Sequence, residues 1–187
     1  MKFSVKWSMI ILFLVITFGL FGCQANAADT ANTKPDPNKI KQTIFKDTLV
    51  NQNKGLDDLL QFCSKLSGQG LALKIAILTD GQVRNNNDIT TAAVKVFDKS
   101  PFAKFFVGPD YLTLEDMQKV LAYSSSRVEQ LKAVGAEVKK TQTPELSGQY
   151  DQIISSIEKQ TQQLDSITTK EQRSFSLFGW MIKLLRK

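Results

Sequence analysis

From Leu114 to Val138 a seam of apolar or small residues recurs at alternating steps of three and four: Leu114, Met117, Leu121, Ser124, Val128, Leu131, Gly135 and Val138. Such steps stack side chains along one side of an α-helix, and the two-residue period of a strand cannot reproduce them. A helix with one apolar stripe is stable only when another surface covers that stripe. Thr113-Leu114-Glu115-Asp116 has the form of a helix start, and Thr143-Pro144 places a proline where a second helix would begin. Beyond it the seam resumes at Tyr150, Ile153 or Ile154, Ile157, Leu164 and Ile167, interrupted at Gln160 and Thr161. Ser124 and Gly135 are weak points of the first stripe. Two seams joined by so short a break predict an antiparallel helical hairpin over 113–173. Each arm would reach roughly 35–40 Å at 1.5 Å per residue.

Upstream, Ile40, Ile44, Phe45, Leu49, Leu56, Leu59, Leu60, Cys63 and Leu66 are also helically spaced. Asn53-Lys54-Gly55 is expected to break or kink that helix, and Ser67-Gly68-Gln69-Gly70 to end it. LALKIAIL, residues 71–78, alternates in the manner of a strand, and Thr79-Asp80-Gly81 would close it with a turn. RNNND, residues 84–88, reads as a polar loop capping a short helix over 89–99. FAKFFVG, residues 102–108, is either a second strand of a small β-α-β unit or further helix. The expected fold is therefore mostly α, of α+β type: a helical domain with one or two short strands and a C-terminal antiparallel helical hairpin.

The start of the chain has a different character. Lys2 and Lys6 precede an apolar run from Trp7 to Phe21 that is short for a membrane span and suits a secretory signal. Leu20-Phe21-Gly22-Cys23 at its end resembles the lipobox of bacterial lipoprotein precursors. A thiol can take a diacylglyceryl group as a thioether, and a small residue before it lets the signal peptidase close on the bond. Gly22 is that residue and Leu20 the apolar position. Phe21 departs from the pattern, which usually has a small residue there. The resemblance covers residues 1–23 only. It implies a chain held to membrane lipid through acylated Cys23, on the extracytoplasmic side of the cell membrane or outer membrane. Gln24 is not the Asp that marks inner-membrane retention. A competing cut after Ala25-Asn26-Ala27 would secrete the chain unlipidated. Residues 24–39 have no apolar period and two prolines, so 23–39 reads as a lipidated cysteine and flexible tether. A single domain then spans 40–173, and a basic amphipathic segment spans 174–187.

Charge points the same way. The chain has 24 basic and 18 acidic residues, a net of +6. Lys2 and Lys6 belong to the signal. Lys170, Arg173, Lys183, Arg186 and Lys187, against Glu171 alone, account for the rest of the excess. A basic tail on a neutral, exported domain suits a membrane surface and argues against nucleic acid. On a helix, Leu177, Phe178, Met181, Leu184 and Leu185 share one face, Lys183, Arg186 and Lys187 the other, and Trp180 lies at the boundary. That pattern serves an interfacial membrane helix, a partner contact or docking on the protein's own core.

Catalytic sets are sparse. The absence of histidine from the sequence removes Ser-His-Asp and Cys-His arrangements and the usual zinc sites. The chain has no P-loop and no G-x-G-x-x-G, and NNND lacks the ligand spacing of an EF-hand. Asp80, expected just after a strand, is the one enzyme-like carboxylate, and turn chemistry explains it equally well. Asp57 and Asp58 read as a solvated helix face, and Cys63 as a small buried hydrophobe. The sequence thus suggests a non-enzymatic, membrane-anchored bacterial envelope lipoprotein without cofactor. The hairpin would offer a binding or scaffolding surface to an envelope protein. The alternatives are a secreted membrane-active or membrane-bridging protein acting through residues 175–187, and a carboxylate-dependent enzyme around Asp80.

Overall fold

A computed structural model describes residues 36–100, 103 and 108–173. Four helices make up almost all of them: α1 Pro37–Cys63, α2 Gln69–Phe97, α3 Tyr111–Thr141 and α4 Pro144–Gln172. Each start has a local cause. Asp36 accepts from the Asn38 amide ahead of Pro37, Asp110 from the Thr113 amide, and Thr143 from the Leu146 amide ahead of Pro144. These caps satisfy donors that the first helical turn leaves open. Helix α2 follows Gly68, whose φ of 127° lies in a region that side-chain-bearing residues avoid.

Each helix packs on two others, α1 on α2 and α4, and α3 on α2 and α4. Every packed pair is antiparallel. Phe45 meets Phe97 while Asn53 bonds Asn86 across α1–α2. Lys74 pairs with Glu137 while Asn85 bonds Ser124 across α2–α3. Lys139 pairs with Asp151 and Gln172 bonds Gln118 across α3–α4. Lys41 pairs with Glu171 and Gln52 bonds Thr161 across α1–α4. The result is an up-down-up-down four-helix bundle. The chain enters α1 and leaves α4 at the same end. At the other end Gln142 ties the two short connections together, accepting from the Ser67 amide and donating to the Ser67 carbonyl.

The strands are not found, and no strand occurs among the described residues. Residues 71–78, together with the expected turn at 79–81 and loop at 84–88, lie inside the continuous helix α2. The alternation of LALKIAIL misleads because Leu73 and Ile77 stay exposed, at 62% and 63%. The side chains that face the core are Leu71, Ile75, Thr79, Gln82, Asn86 and Ile89, at helical steps. A second strand at 102–108 falls largely outside the described residues. Asn53-Lys54-Gly55 does not end α1, which runs through it to Cys63. The helix also begins at Pro37, ahead of the expected boundary at 40. The α3 seam is buried at every position from Leu114 to Val138. In α4 Tyr150, Ile154, Ile157 and Leu164 are buried, while Ile153 and Ile167 are only partly covered.

Candidate functional site

The core divides into two apolar blocks. One, toward the Gln142 end, contains Leu56, Leu59, Phe62, Ile75, Leu131, Val138, Tyr150 and Ile157. The other, toward the chain's entry and exit, contains Phe45, Leu49, Ile89, Val96, Leu114, Met117, Leu121 and Leu164. Between them each helix crosses the middle of the bundle on buried polar residues. These are Gln52 from α1, Thr79, Gln82 and Asn86 from α2, Ser124 from α3 and Thr161 from α4.

Some of this layer is well paired. Gln52 Nε2 donates to Thr161 Oγ1 at 2.6 Å, Asn86 Nδ2 to Asn53 Oδ1 at 2.7 Å, and Asn85 Nδ2 to Ser124 Oγ at 3.2 Å. The hydroxyls of Thr79 and Thr161 donate to carbonyls one turn back, Ile75 and Ile157. The rest is not. Both polar atoms of Gln82, which is fully buried, find no hydrogen-bond partner among the described residues. The same holds for Gln52 Oε1, Asn86 Oδ1, Arg127 Nη1 and Gln160 Oε1. Arg127 reaches the layer by lying across Gly81. A Cβ on that glycine would stand 2.4 Å from the guanidinium carbon, so the close approach requires glycine unless the side chain moves. Buried amides without partners cost about 1–3 kcal/mol each relative to a matched apolar group. The layer is therefore a region where packing has been given up for polarity.

At the surface, three adjoining hollows of about 350, 330 and 220 Å³ run along the line between α1 and α4. Their α1 wall carries Asp47, Asn51, Lys54, Asp58, Gln61 and Lys65, all exposed. Their α4 wall carries Gln149, Gln152, Ile153, Ser156, Lys159, Gln160 and Gln163. Gly55 sets the helix spacing here, because its missing side chain leaves room for Ile157, whose Cγ1 would lie 3.1 Å from a Cβ. Gln160 joins the two features, lining the groove while its Oε1 is buried.

Compared with models of known protein families, with curated proteins and with solved structures, the chain gives no significant match.

Asp80 lies in mid-helix, 62% exposed at its side chain, and pairs with Arg84 one turn on. The strand end that would have framed it is absent. Asp57 and Asp58 are exposed on α1. Cys63 is partly buried and unbridged, and burial pushes its thiol pKa up, away from thiolate reactivity. Among the described residues no group of acidic or cysteine side chains is arranged to hold a metal ion. Cys23 and the segment Leu177, Phe178, Trp180, Met181, Lys183, Leu184, Leu185, Arg186 and Lys187 lie outside the described residues. Sequence reasoning missed Gln52, Gln82 and Asn86. The available signal was that each helical stripe is broken by polar residues near its middle.

Proposed function

We propose that the chain is a non-enzymatic bacterial envelope lipoprotein, anchored through acylated Cys23, whose helical bundle is a binding or scaffolding surface. The observation that carries this reading is Leu20-Phe21-Gly22-Cys23, a lipobox-like tetrapeptide directly after a basic and apolar start. Two further points support it. The chain enters α1 and leaves α4 at one end of the bundle, close enough for Lys41 to pair with Glu171 at 3.1 Å. The tether that leads back to Cys23 and the basic segment 175–187 therefore depart from the same end, and both can meet one bilayer. Two or three acyl chains with a basic amphipathic segment make stable attachment, where one chain alone is marginal. Among the described residues no helix is long and apolar enough to cross a membrane.

Metabolic labelling with palmitate tests the reading. Wild type takes up label and sediments with membranes, and Cys23→Ala takes up none and loses most membrane association. Equal labelling of the two, or of neither, contradicts the anchor. Unlabelled protein that stays on membranes until residues 175–187 are deleted would instead favour the membrane-active reading, in which that segment carries the function.

A further inference from the structure

We infer that the α1–α4 groove is a self-complementary surface that pairs with the same groove on a second copy of this chain, the two bundles running antiparallel about a two-fold axis. The argument starts from the order of side chains on the α1 wall. Asp47, Asn51, Lys54, Asp58, Gln61 and Lys65 are spaced by alternating steps of four and three, one straight stripe along the helix. Read about residue 56, the stripe is a chemical palindrome. Asp47 and Lys65 stand nine residues on either side, Asn51 and Gln61 five, and Lys54 and Asp58 two. Placed against itself in reverse, it sets acid on base once at each end and twice about the centre, with amide on amide between.

The second wall has the same centre. Gly55 packs on Ile157 and Gln52 bonds Thr161, so residue 56 of α1 is level with residue 156 of α4. About Ser156, Gln149 mirrors Gln163 and Gln152 mirrors Gln160, while Ile153 stands opposite Lys159 as the one unmatched pair. A two-fold axis lying across the groove at that level relates both walls to their own copies at once. This is the condition for an isologous interface, in which one patch meets itself. A side-chain amide carries both donors and acceptors, so a Gln can pair with a Gln from a second copy.

The charges are available for this use. Asp47, Lys54, Asp58 and Lys65 form no ion pair within the described residues, whereas charges on other faces do, including Lys74 with Glu137, Lys132 with Glu158 and Lys139 with Asp151. From Asp47 to Lys65 the stripe runs about 27 Å at 1.5 Å per residue. Two helices set about 10 Å apart then bury roughly 1,000 Å² in total, the lower edge of specific interfaces. The pairing is thus reversible and weakened by salt, because its charges are exposed.

Charge exchange tests it, with full-length chains carrying two different affinity tags, co-expressed and purified in detergent. Wild type captures wild type. Asp47→Lys alone, or Lys65→Asp alone, lowers self-capture at least tenfold, because each copy then meets a like charge twice. The Asp47→Lys chain captures the Lys65→Asp chain as well as wild type captures itself, since the mixed pair restores both contacts. The double variant Asp47→Lys/Lys65→Asp recovers self-capture. Both positions are exposed, and unchanged thermal unfolding of each variant verifies that the fold is intact. Wild type that does not capture itself, or single variants that capture themselves undiminished, overturns the proposal. So does a stripe whose reversal abolishes capture of a different protein while self-capture is unaffected. Because the chains are compared in detergent, failure here is distinct from failure of the Cys23 anchor.

Discussion

At the scale of single residues, the least compensated side chain is Gln82. It is fully buried, carries a donor and an acceptor without partners among the described residues, and sits where each neighbouring helix also contributes polarity. A buried polar residue in a helix bundle can fix which registers the helices adopt, at a cost in stability. Gln82→Met keeps the length of the side chain and removes both unpaired atoms. It is expected to stabilise the bundle by about 1–2 kcal/mol, the desolvation penalty of an unpaired amide. Urea unfolding measures it. A loss of stability of similar size would mean that the amide is satisfied in solution and that the layer contributes favourably.

At the scale of the helix, Tyr150 on α4 holds the hairpin end together. Its hydroxyl donates to the Leu131 carbonyl on α3 at 2.7 Å, and its ring packs on Phe62 of α1, centroids 5.5 Å apart. Burial, with smaller contributions from Cys63 and Asp151, raises its pKa far above the ordinary value near 10. The raised pKa has a definite consequence for stability. Below about pH 9 the phenol is protonated whether folded or unfolded, and nothing is lost. Above it the unfolded chain releases the proton while the folded chain retains it, so stability falls as pH rises. Cys63, also raised by burial, adds to the loss from about pH 8.5 upward. Tyr150→Phe is expected to cost about 1 kcal/mol at neutral pH, for the lost hydrogen bond. It should also flatten the decline between pH 9 and 11, as followed by thermal melts.

The same scale explains what could be read in advance. The α3 stripe from Leu114 to Val138 and the Pro144 start of α4 were legible because their periodicity and capping agree. The middle of the bundle was not. Asn53-Lys54-Gly55, Thr79-Asp80-Gly81, RNNND and Gln160-Thr161 each carry local signals for a break. Tertiary packing overrides them, and all four lie in or beside the polar layer. Gly55 is there for the contact with Ile157, and Gly81 for the passage of Arg127. Residue types that usually punctuate a chain serve here to let helices approach and to carry polarity inward. Leu73 and Ile77 compound the error by being apolar and exposed, which gives a helix the look of a strand.

At the scale of the molecule, an up-down-up-down bundle returns the chain to the end where it started, so α1 begins and α4 ends on one side. In the antiparallel pair the entry ends of the two copies stand at opposite ends of the assembly, roughly 40 Å apart for helices of this length, so the proposed attachment to one bilayer holds within each copy and the paired copies present their ends to two opposite sides. The central claim remains that the chain is lipidated at Cys23. Mass spectrometry of the N-terminal peptide from membrane-purified protein tests it most directly. The account predicts a chain that begins at Cys23 and carries a diacylglyceryl thioether on that residue. A chain that begins at Ala28, or one that keeps residues 1–22 with Cys23 unmodified, would contradict it.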